Sequence, residues 1–233
     1  MSVIRSTKMG FGELVRNVVP PRINEASSTN VTFSTLTNPD GDGKNYRLAV
    51  WNTTGTLVVL SAGSAQALII DGGWSSAGTS NSASAGGNGG DARLLPALSL
   101  SPGTITVTVG AGGTGVVGAT APGGASSIGS VATTGGSASL FTGAAGGNAG
   151  AAGTRGFSCG ITGTVTVYAG GGGGGQSGAG GAGGGGGGES GPNNNNQTAG
   201  TANTGGGGGG RWNNGTVSGM NGGSGKVCIR WEV

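Results

Sequence analysis

The sequence YAGGGGGGQSGAGGAGGGGGGES occupies residues 168–190 and contains two uninterrupted runs of six glycines. A third run of six follows at residues 205–210, and glycine accounts for 60 of the 233 residues. Glycine loses more conformational freedom on folding than any other residue and has no side chain to bury. A chain of this composition is therefore either disordered or held together by close packing of its backbone.

Segments typical of β-strands alternate with the glycine runs and argue against disorder. They carry alternating β-branched and polar residues and are bounded by glycine, which is the pattern of half-buried strands. The five segments lie at residues 56–60, 67–70, 104–109, 163–168 and 226–231. Only 8% of the residues are charged, whereas disordered tracts usually stay solvated through charge. We therefore expect an ordered chain.

Few structures can pack a backbone without side chains. Collagen needs glycine at every third position and abundant proline, but the glycine runs break that period and the chain has only seven prolines. The remaining solution is a bundle of extended left-handed helices with three residues per turn, whose backbone groups pair between neighbouring helices. The expected fold is therefore mostly β and irregular, with short strands, a bundle of polyglycine-II-type helices and little α-helix.

The order of the motifs carries a resemblance to a known family. A strand pair ending in glycine is followed by GGNGGD at residues 86–91, SPGTITVTVGAGG at residues 101–113 and the closing segment GGSGKVCIRW at residues 222–231. Over about residues 50–233, this succession resembles the glycine-rich domain of bacteriophage tail-fibre and virion proteins, including the polyglycine-II distal tail-fibre adhesins of T-even-like phages. The resemblance implies a packed bundle that presents receptor-binding loops between its glycine runs.

Composition changes near residue 50 and predicts two parts, an N-terminal virion-docking arm with a β-hairpin at residues 1–50 and a glycine-rich domain at residues 51–233. In the arm, Phe11, Leu14, Val15 and Val18 recur at spacings of one, three and four residues, which predicts a short amphipathic helix ended by two prolines. Such a helix is too short to fold alone, and its apolar stripe needs a partner. We expect residues 1–25 to dock into another virion protein. Packing of the arm against its own glycine-rich domain is the alternative.

Residues 31–34 and 46–51 flank a turn at Asn38-Pro39-Asp40-Gly41 and predict a β-hairpin. Asp40 and Asp42 have a spacing found in calcium loops, but Lys44 stands at the next ligand position. A tight turn is therefore the favoured interpretation, and no metal site is expected.

Candidate receptor-binding residues are the aromatic and asparagine residues in turn-rich segments between the glycine runs. Aromatic side chains beside asparagine and serine suit stacking on sugars together with adaptable hydrogen bonding. The candidates are Trp74, Phe157, Asn193, Asn194, Asn195, Trp212 and Asn213. We expect the three aromatic residues to be exposed at one end of the bundle, away from the arm. The alternatives are that each aromatic residue plugs a bundle end and that the asparagine run is a solvated turn.

Enzymatic chemistry is not expected, because the chain has no histidine and no paired carboxylates in a pocket-forming motif. The segment GGSGKV at residues 222–227 lacks the first glycine and the final Ser or Thr of a phosphate loop, so no cofactor is implied. The net charge of +3 gives little reason to expect a nucleic-acid partner. Cys159 and Cys228 are expected to be buried free thiols, with a disulfide between them as the less favoured alternative.

These observations favour a phage virion structural protein, specifically a tail-fibre or spike adhesin that binds a host-surface glycan or an outer-membrane protein. It would be made in the host cytoplasm, since the start of the sequence lacks a signal peptide and no apolar run is long enough to span a membrane. Two alternatives stay open, a capsid or collar decoration or head-fibre protein with an assembly role, and an ice- or surface-binding glycine-helix protein. Assembly into a homo-oligomer is also open.

Overall fold

The computed structural model describes residues 19–78, 82–133, 139–213 and 216–233. The predicted arm helix, with Phe11, Leu14, Val15 and Val18, lies outside these residues. Within the described chain the fold is mostly β, as expected, and the one helical segment is a 3-10 turn at Glu25–Ser27. The Asn24 side chain caps that turn by accepting the Ser27 N–H at 3.2 Å.

The described residues contain sixteen strands. In chain order they are β1 (Arg22–Ile23), β2 (Thr29–Thr37), β3 (Asn45–Ser61), β4 (Gly63–Ile70), β5 (Ala77–Gly78), β6 (Ser82–Ala83), β7 (Ala92–Leu100), β8 (Gly103–Thr108), β9 (Val116–Val117), β10 (Ser127–Ile128), β11 (Val131–Ala132), β12 (Ser139–Phe141), β13 (Phe157–Cys159), β14 (Thr166–Tyr168), β15 (Trp212–Asn213) and β16 (Lys226–Glu232).

Ten strands form one antiparallel sheet that curls into a nearly closed barrel. Its order is β11-β10-β8-β3-β16-β4-β7-β12, with β1 and β2 also paired to β3. Strand β3 pairs with four strands because it is long: its first half pairs with β16 and β2, and its second half pairs with β8 and β1. Across the remaining gap, the Arg93 Nη1 on β7 donates to the Ala132 carbonyl on β11 at 2.7 Å.

Both faces of the central strands are buried. Ile69 and Ile229 belong to one apolar cluster, while their neighbours Leu68, Ile70 and Cys228 belong to a second cluster. Successive side chains of a strand point to opposite faces, so β4 and β16 need apolar residues at almost every position. The two faces together supply the hydrophobic core that the glycine segments lack.

Four of the five predicted strands are confirmed in full or nearly so, within β3, β4, β8 and β16. The fifth, expected at residues 163–168, is shortened to β14 because Gly163 has a φ of +88° and closes a turn onto the Gly160 carbonyl at 2.9 Å. The hairpin on either side of residue 38 is confirmed as the β2–β3 pair. Strand β3 runs through residue 50, so the compositional change there falls inside one continuous strand.

The predicted turn between β2 and β3 is tied to the sheet by a buried ion pair. The Asn38 side chain accepts the Gly43 N–H at 2.7 Å, which closes the turn. The fully buried Arg230 side chain donates to Asp40 at 2.6 Å and to Gln66 at 2.5 Å. Asp40 therefore serves as a structural anion in this turn.

The glycine segments leave the sheet at one end only. In the β4–β7 pair, Gly63 lies opposite Leu100 at one end, and Ile70 lies opposite Ala92 at the other, where the glycine segments begin. The Val19 carbonyl accepts the Ser64 N–H at 3.0 Å. The first described residue therefore enters the sheet at the end opposite the glycine segments.

Backbone hydrogen bonds join the glycine segments in a repeating pattern. Each N–H of residues 170–175 donates to one of three neighbouring runs at 2.8 to 3.0 Å, and the same run recurs at every third residue. The acceptors for residues 170 and 173 are residues 183 and 186, those for 171 and 174 are 154 and 151, and those for 172 and 175 are 87 and 84. The carbonyls of the same residues accept from three further runs, at residues 147–150, 178–181 and 207–210. One glycine segment is thus surrounded by six others.

These segments approach too closely for any side chain between them. A Cβ atom added to Gly172 would lie 2.0 Å from the Gly208 carbonyl oxygen, and one added to Gly188 would lie 1.9 Å from that of Gly174. Real Cβ atoms essentially never come within 3.0 Å of another heavy atom. Glycine is required at these positions because the neighbouring backbones occupy the space of a side chain.

Candidate functional site

The segments reverse direction at their end away from the sheet, at residues 175–178 and 189–197, and we call this end, which also contains Arg211 and Trp212, the tip. The paired residues show its position. Residue 71, next to the sheet, donates to residue 91, and residue 74, three residues further out, donates to residue 88. Further along the second of these segments, the Ser84 N–H donates at 2.7 Å to the carbonyl of Arg211, which follows the third glycine run at the tip.

One buried carboxylate organises the tip. The Glu189 side chain is fully buried, and its two oxygens accept the N–H groups of Asn195 and Trp212, each at 2.8 Å. The Glu189 carbonyl also accepts the N–H groups of Gln176 and Ser177 at 2.8 and 2.9 Å. Charge-assisted hydrogen bonds of this kind are stronger than neutral ones, so a single residue fixes three loops relative to each other.

The asparagine loop is held in one conformation by its own side chains. Asn193 and Asn195 adopt φ of 62° and 51°, in the left-handed region that asparagine tolerates better than most residues. The Asn196 Oδ1 accepts the Ser190 N–H at 2.9 Å, and its Nδ2 donates to the Ser190 Oγ at 2.7 Å. The loop is exposed but not loosely held.

Several predicted site residues come together at the tip. The Asn193 N–H donates to the Trp212 carbonyl at 3.1 Å, which joins the asparagine loop to β15. Arg211 donates from Nη1 to the Asn195 Oδ1 at 3.1 Å. Asn193, Asn194, Asn195 and Trp212 therefore share one surface, whereas the side chain of Asn213 lies outside the described part of the chain. Sequence reasoning missed Glu189 and Arg211, although each directly follows a six-glycine run and so marks the end of a segment.

The other two aromatic candidates lie away from the tip. The Trp74 N–H donates to Asn88 at 2.8 Å, halfway along its segment, and its side chain is 36% exposed. Phe157 pairs with Tyr168 at the sheet end and packs partly against the core. The expectation that the three aromatic residues share one end is wrong, because Trp74, Phe157 and Trp212 lie at three different distances from the sheet.

A family model for a glycine-rich domain matches residues 45–232, which include every strand from β3 to β16. The chain belongs to this glycine-rich domain family. No curated protein matches the chain. Family membership by itself assigns no activity to this glycine-rich domain, since function resides in particular sites of a fold.

The cysteines of the glycine-rich domain carry no reactive chemistry. Cys159 and Cys228 are buried free thiols, as the sequence predicted. Burial raises the pKa of the Cys228 thiol to about 12 and also raises the pKa of Cys159. Both therefore stay protonated at neutral pH, whereas the thiolate is the reactive form.

The described residues contain no cluster of metal ligands and no membrane-spanning helix. Within residues 19–78, 82–133, 139–213 and 216–233, no three His, Cys, Asp or Glu side chains cluster in a way that could hold a metal ion. Asp42, one of the two turn carboxylates, accepts the Lys44 N–H at 3.0 Å and the Tyr46 hydroxyl at 3.1 Å. Over the same residues, no helix has the length and apolar character needed to cross a membrane.

Proposed function

We propose that this chain is a bacteriophage virion structural protein, a tail-fibre or spike adhesin that recognises the host surface through its tip. The separation of its two ends carries the proposal. The N-terminal segment enters at Val19, at one end of the sheet, and the exposed asparagine loop lies at the opposite end of the glycine segments. An adhesin needs this polarity, since one end must attach to the particle while the other reaches the host.

The glycine segments, in this proposal, form a bundle of polyglycine-II helices. Three residues per turn places every third N–H on the same side, and residues 170–175 change hydrogen-bond partners with that period. All six of these glycines have negative φ, as a left-handed extended helix requires. A six-residue segment then holds the tip roughly 19 Å from the sheet.

The chemistry of the tip suits a glycan on the host surface. Asparagine amides both donate and accept hydrogen bonds, and the indole of Trp212 offers an apolar face beside them. Because Glu189 and Asn196 already hold the loop, binding costs little further ordering. An exposed loop of an outer-membrane protein is the second kind of host partner that this surface could take.

The opposite end fits attachment to the particle. Val19 is 70% exposed and Leu60, on the second half of β3, is 52% exposed, so apolar surface faces solvent where the N-terminal segment enters. The stripe formed by Phe11, Leu14, Val15 and Val18 precedes Val19 directly in sequence. Within the predicted arm of residues 1–25, Arg22 and Ile23 pair with β3 and Glu25 bonds to Arg47, so this part packs against its own domain. We therefore assign docking on another virion protein to residues 1–18.

Adsorption of particles to host cells tests the proposal. Trp212→Ala is expected to weaken binding by on the order of 2 kcal/mol, roughly thirtyfold, because it truncates an aromatic anchor of the tip. Trp74→Ala is the matched control, since this tryptophan is exposed on the side of the bundle. If both variants fold and adsorb equally well, the tip is not the receptor-binding surface.

A capsid or collar decoration protein, or a head fibre, is the second candidate. The observation that favours it is the distribution of Trp74, Phe157 and Trp212 along the length of the bundle. Aromatic residues at three levels suit lateral contacts with neighbouring virion proteins better than binding at one end. In this case Trp74→Ala would lower the heat stability of particles while leaving their adsorption unchanged.

A further inference from the structure

We propose that a second binding site, separate from the tip, takes an acidic sugar unit in a groove beside Phe157. The groove has a volume of about 340 Å³ and is lined by Phe141, Thr142, Arg155, Phe157 and neighbouring backbone. This volume lies near the lower end of small-molecule pockets, which suits one or two sugar units. The inference deepens the proposed function and rests on it for its biological meaning, since it names a ligand class for the predicted recognition residue Phe157.

A stack of aromatic rings forms the floor of the groove. The rings of Phe141 and Phe157 are nearly parallel, with centroids 4.8 Å apart and an angle of 9° between their planes. Phe157 in turn packs at 5.9 Å against Tyr168, its partner in the β13–β14 pair. The β13–β14 register therefore fixes Phe157 against Tyr168, while Phe141 pairs with Ala92 on β7 and remains 37% exposed. A rigid, partly exposed phenyl ring offers an apolar platform for the C–H face of a sugar ring.

Arg155 gives the groove a preference for anions. Its Nη2 donates to the Ser158 Oγ at 2.6 Å, which positions the guanidinium at the wall. The ion pairs of the described chain are Lys44–Glu232, Arg47–Glu25 and Arg230–Asp40, so no carboxylate of the described residues neutralises Arg155. The remaining donors of a guanidinium match the two oxygens of a carboxylate. A cationic ligand would be repelled.

The polar groups of the lining distinguish a sugar from an aromatic acid. The N–H groups of Ala144 and Gly156 already donate to the carbonyls of Ala169 and Ala182, at 3.1 and 2.9 Å. What the groove can still offer a ligand is therefore mainly acceptors, namely second lone pairs of carbonyl oxygens and the Thr142 hydroxyl. A ligand rich in hydroxyl groups can donate to these acceptors, whereas an aromatic acid cannot. The combined preference is for a sugar that carries a carboxylate.

Titration of the purified full chain with three probes tests the site. Methyl glucuronide carries both the sugar ring and the carboxylate, methyl glucoside lacks the charge, and benzoate lacks the hydroxyl groups. We expect methyl glucuronide to bind at least about tenfold more tightly than either of the others, as measured by ligand-observed NMR. Arg155→Met should abolish the preference over methyl glucoside, and Phe141→Leu should weaken both sugars while keeping the apolar volume. Equal binding of the two sugars by the parent, an undiminished preference in Arg155→Met, or benzoate binding as tight as methyl glucuronide would overturn the proposal.

The tip variant Trp212→Ala separates this inference from the proposed function. It should bind methyl glucuronide like the parent, because the groove lies at the sheet end. If the parent fails to bind methyl glucuronide while Trp212→Ala lowers adsorption, the groove proposal fails and the adhesin proposal stands. If methyl glucuronide binds as expected but neither Trp212→Ala nor Arg155→Met changes adsorption, the adhesin proposal fails and the groove stands.

Discussion

Two glycines of the same run provide a direct test of the packed bundle. A Cβ atom at Gly185 would lie 2.0 Å from the Gly171 carbonyl oxygen, 2.7 Å from its carbon and 2.8 Å from the Gly181 nitrogen. At Gly187, two residues along, the nearest heavy atom would be the Thr198 Oγ1, at 3.9 Å. Gly185→Ala and Gly187→Ala therefore add the same methyl group to the same segment. At Gly185 the methyl group clashes with the neighbouring backbone, whereas at Gly187 it lies at an ordinary van der Waals distance.

The cost at Gly185 follows from what must move. The Gly171 carbonyl accepts the Gly181 N–H at 2.8 Å, so displacing it by more than 1 Å breaks that hydrogen bond. Leaving a buried N–H without an acceptor costs about 1–3 kcal/mol, and overpacking costs about 1–3 kcal/mol more. Gly185→Ala should thus lose about 2–6 kcal/mol, which is a large part of the 5–15 kcal/mol typical of a domain. Gly187→Ala should be close to neutral, because alanine also restricts the unfolded chain.

Thermal unfolding followed by circular dichroism measures the difference. For a chain of this length, about 2–6 kcal/mol corresponds to a drop in melting temperature on the order of 10 °C. Gly185→Val, with a larger side chain, should not fold. Identical melting temperatures for Gly185→Ala and Gly187→Ala would show that the segments are not packed as closely as the hydrogen bonds imply.

Three further predictions concern the arm, the tip and the core. Deleting residues 1–18 should leave the melting temperature unchanged, because Val19 keeps its bond to Ser64, but should prevent incorporation into particles; normal incorporation would exclude the docking role. Glu189→Gln should lower stability by about 1.5–3 kcal/mol and weaken adsorption, because it replaces a charged acceptor of two buried N–H groups; an unchanged melting temperature would contradict its organising role. Raising the pH from about 9 to 12 should destabilise the protein, because the unfolded Cys228 thiol loses its proton near its ordinary value of 9.0 while the folded thiol, with a pKa of about 12, keeps it. This group alone gives a slope of about 1.4 kcal/mol per pH unit, so the dependence should be shallower in Cys228→Ala, and an equal slope in both proteins would refute the assignment.

The strands and the glycine packing could be predicted because each leaves a local signature. Alternating residues such as those at 104–108 determine which side chains face the core, and β8 follows that alternation. The six-glycine runs exclude side-chain packing, which leaves the backbone as the packing element. The β2–β3 hairpin was found from a turn motif whose Asn38 closes it through a local hydrogen bond.

Register between the glycine segments could not be predicted for the same reason that the segments pack. In a strand, a slip of one residue exposes apolar side chains, so the side chains select one register. Gly172 and Gly173 are chemically identical, so the sequence cannot determine that the first donates to residue 87 and the second to residue 186. The heights of Trp74, Phe157 and Trp212 depend on that register. The sequence alone therefore could not show that these three aromatic residues lie at different distances from the sheet.

Because the glycine segments pack through their backbone alone, the bundle provides the scaffold and the loops provide the variable side chains. Residues 170–175 contribute backbone alone, so the bundle does not depend on the side chains of the loops that join its segments, apart from caps such as Glu189. Within the asparagine loop, Asn193 and Asn195 are restricted by their positive φ, whereas Asn194 between them is exposed and has negative φ. The Asn194 side chain makes one exposed hydrogen bond, from its Nδ2 to the Ser190 Oγ at 3.3 Å, so position 194 can take other side chains at little cost in folding. A surface that must follow changes in a host receptor gains most from positions of this kind, where the scaffold places a residue at the tip without requiring its identity.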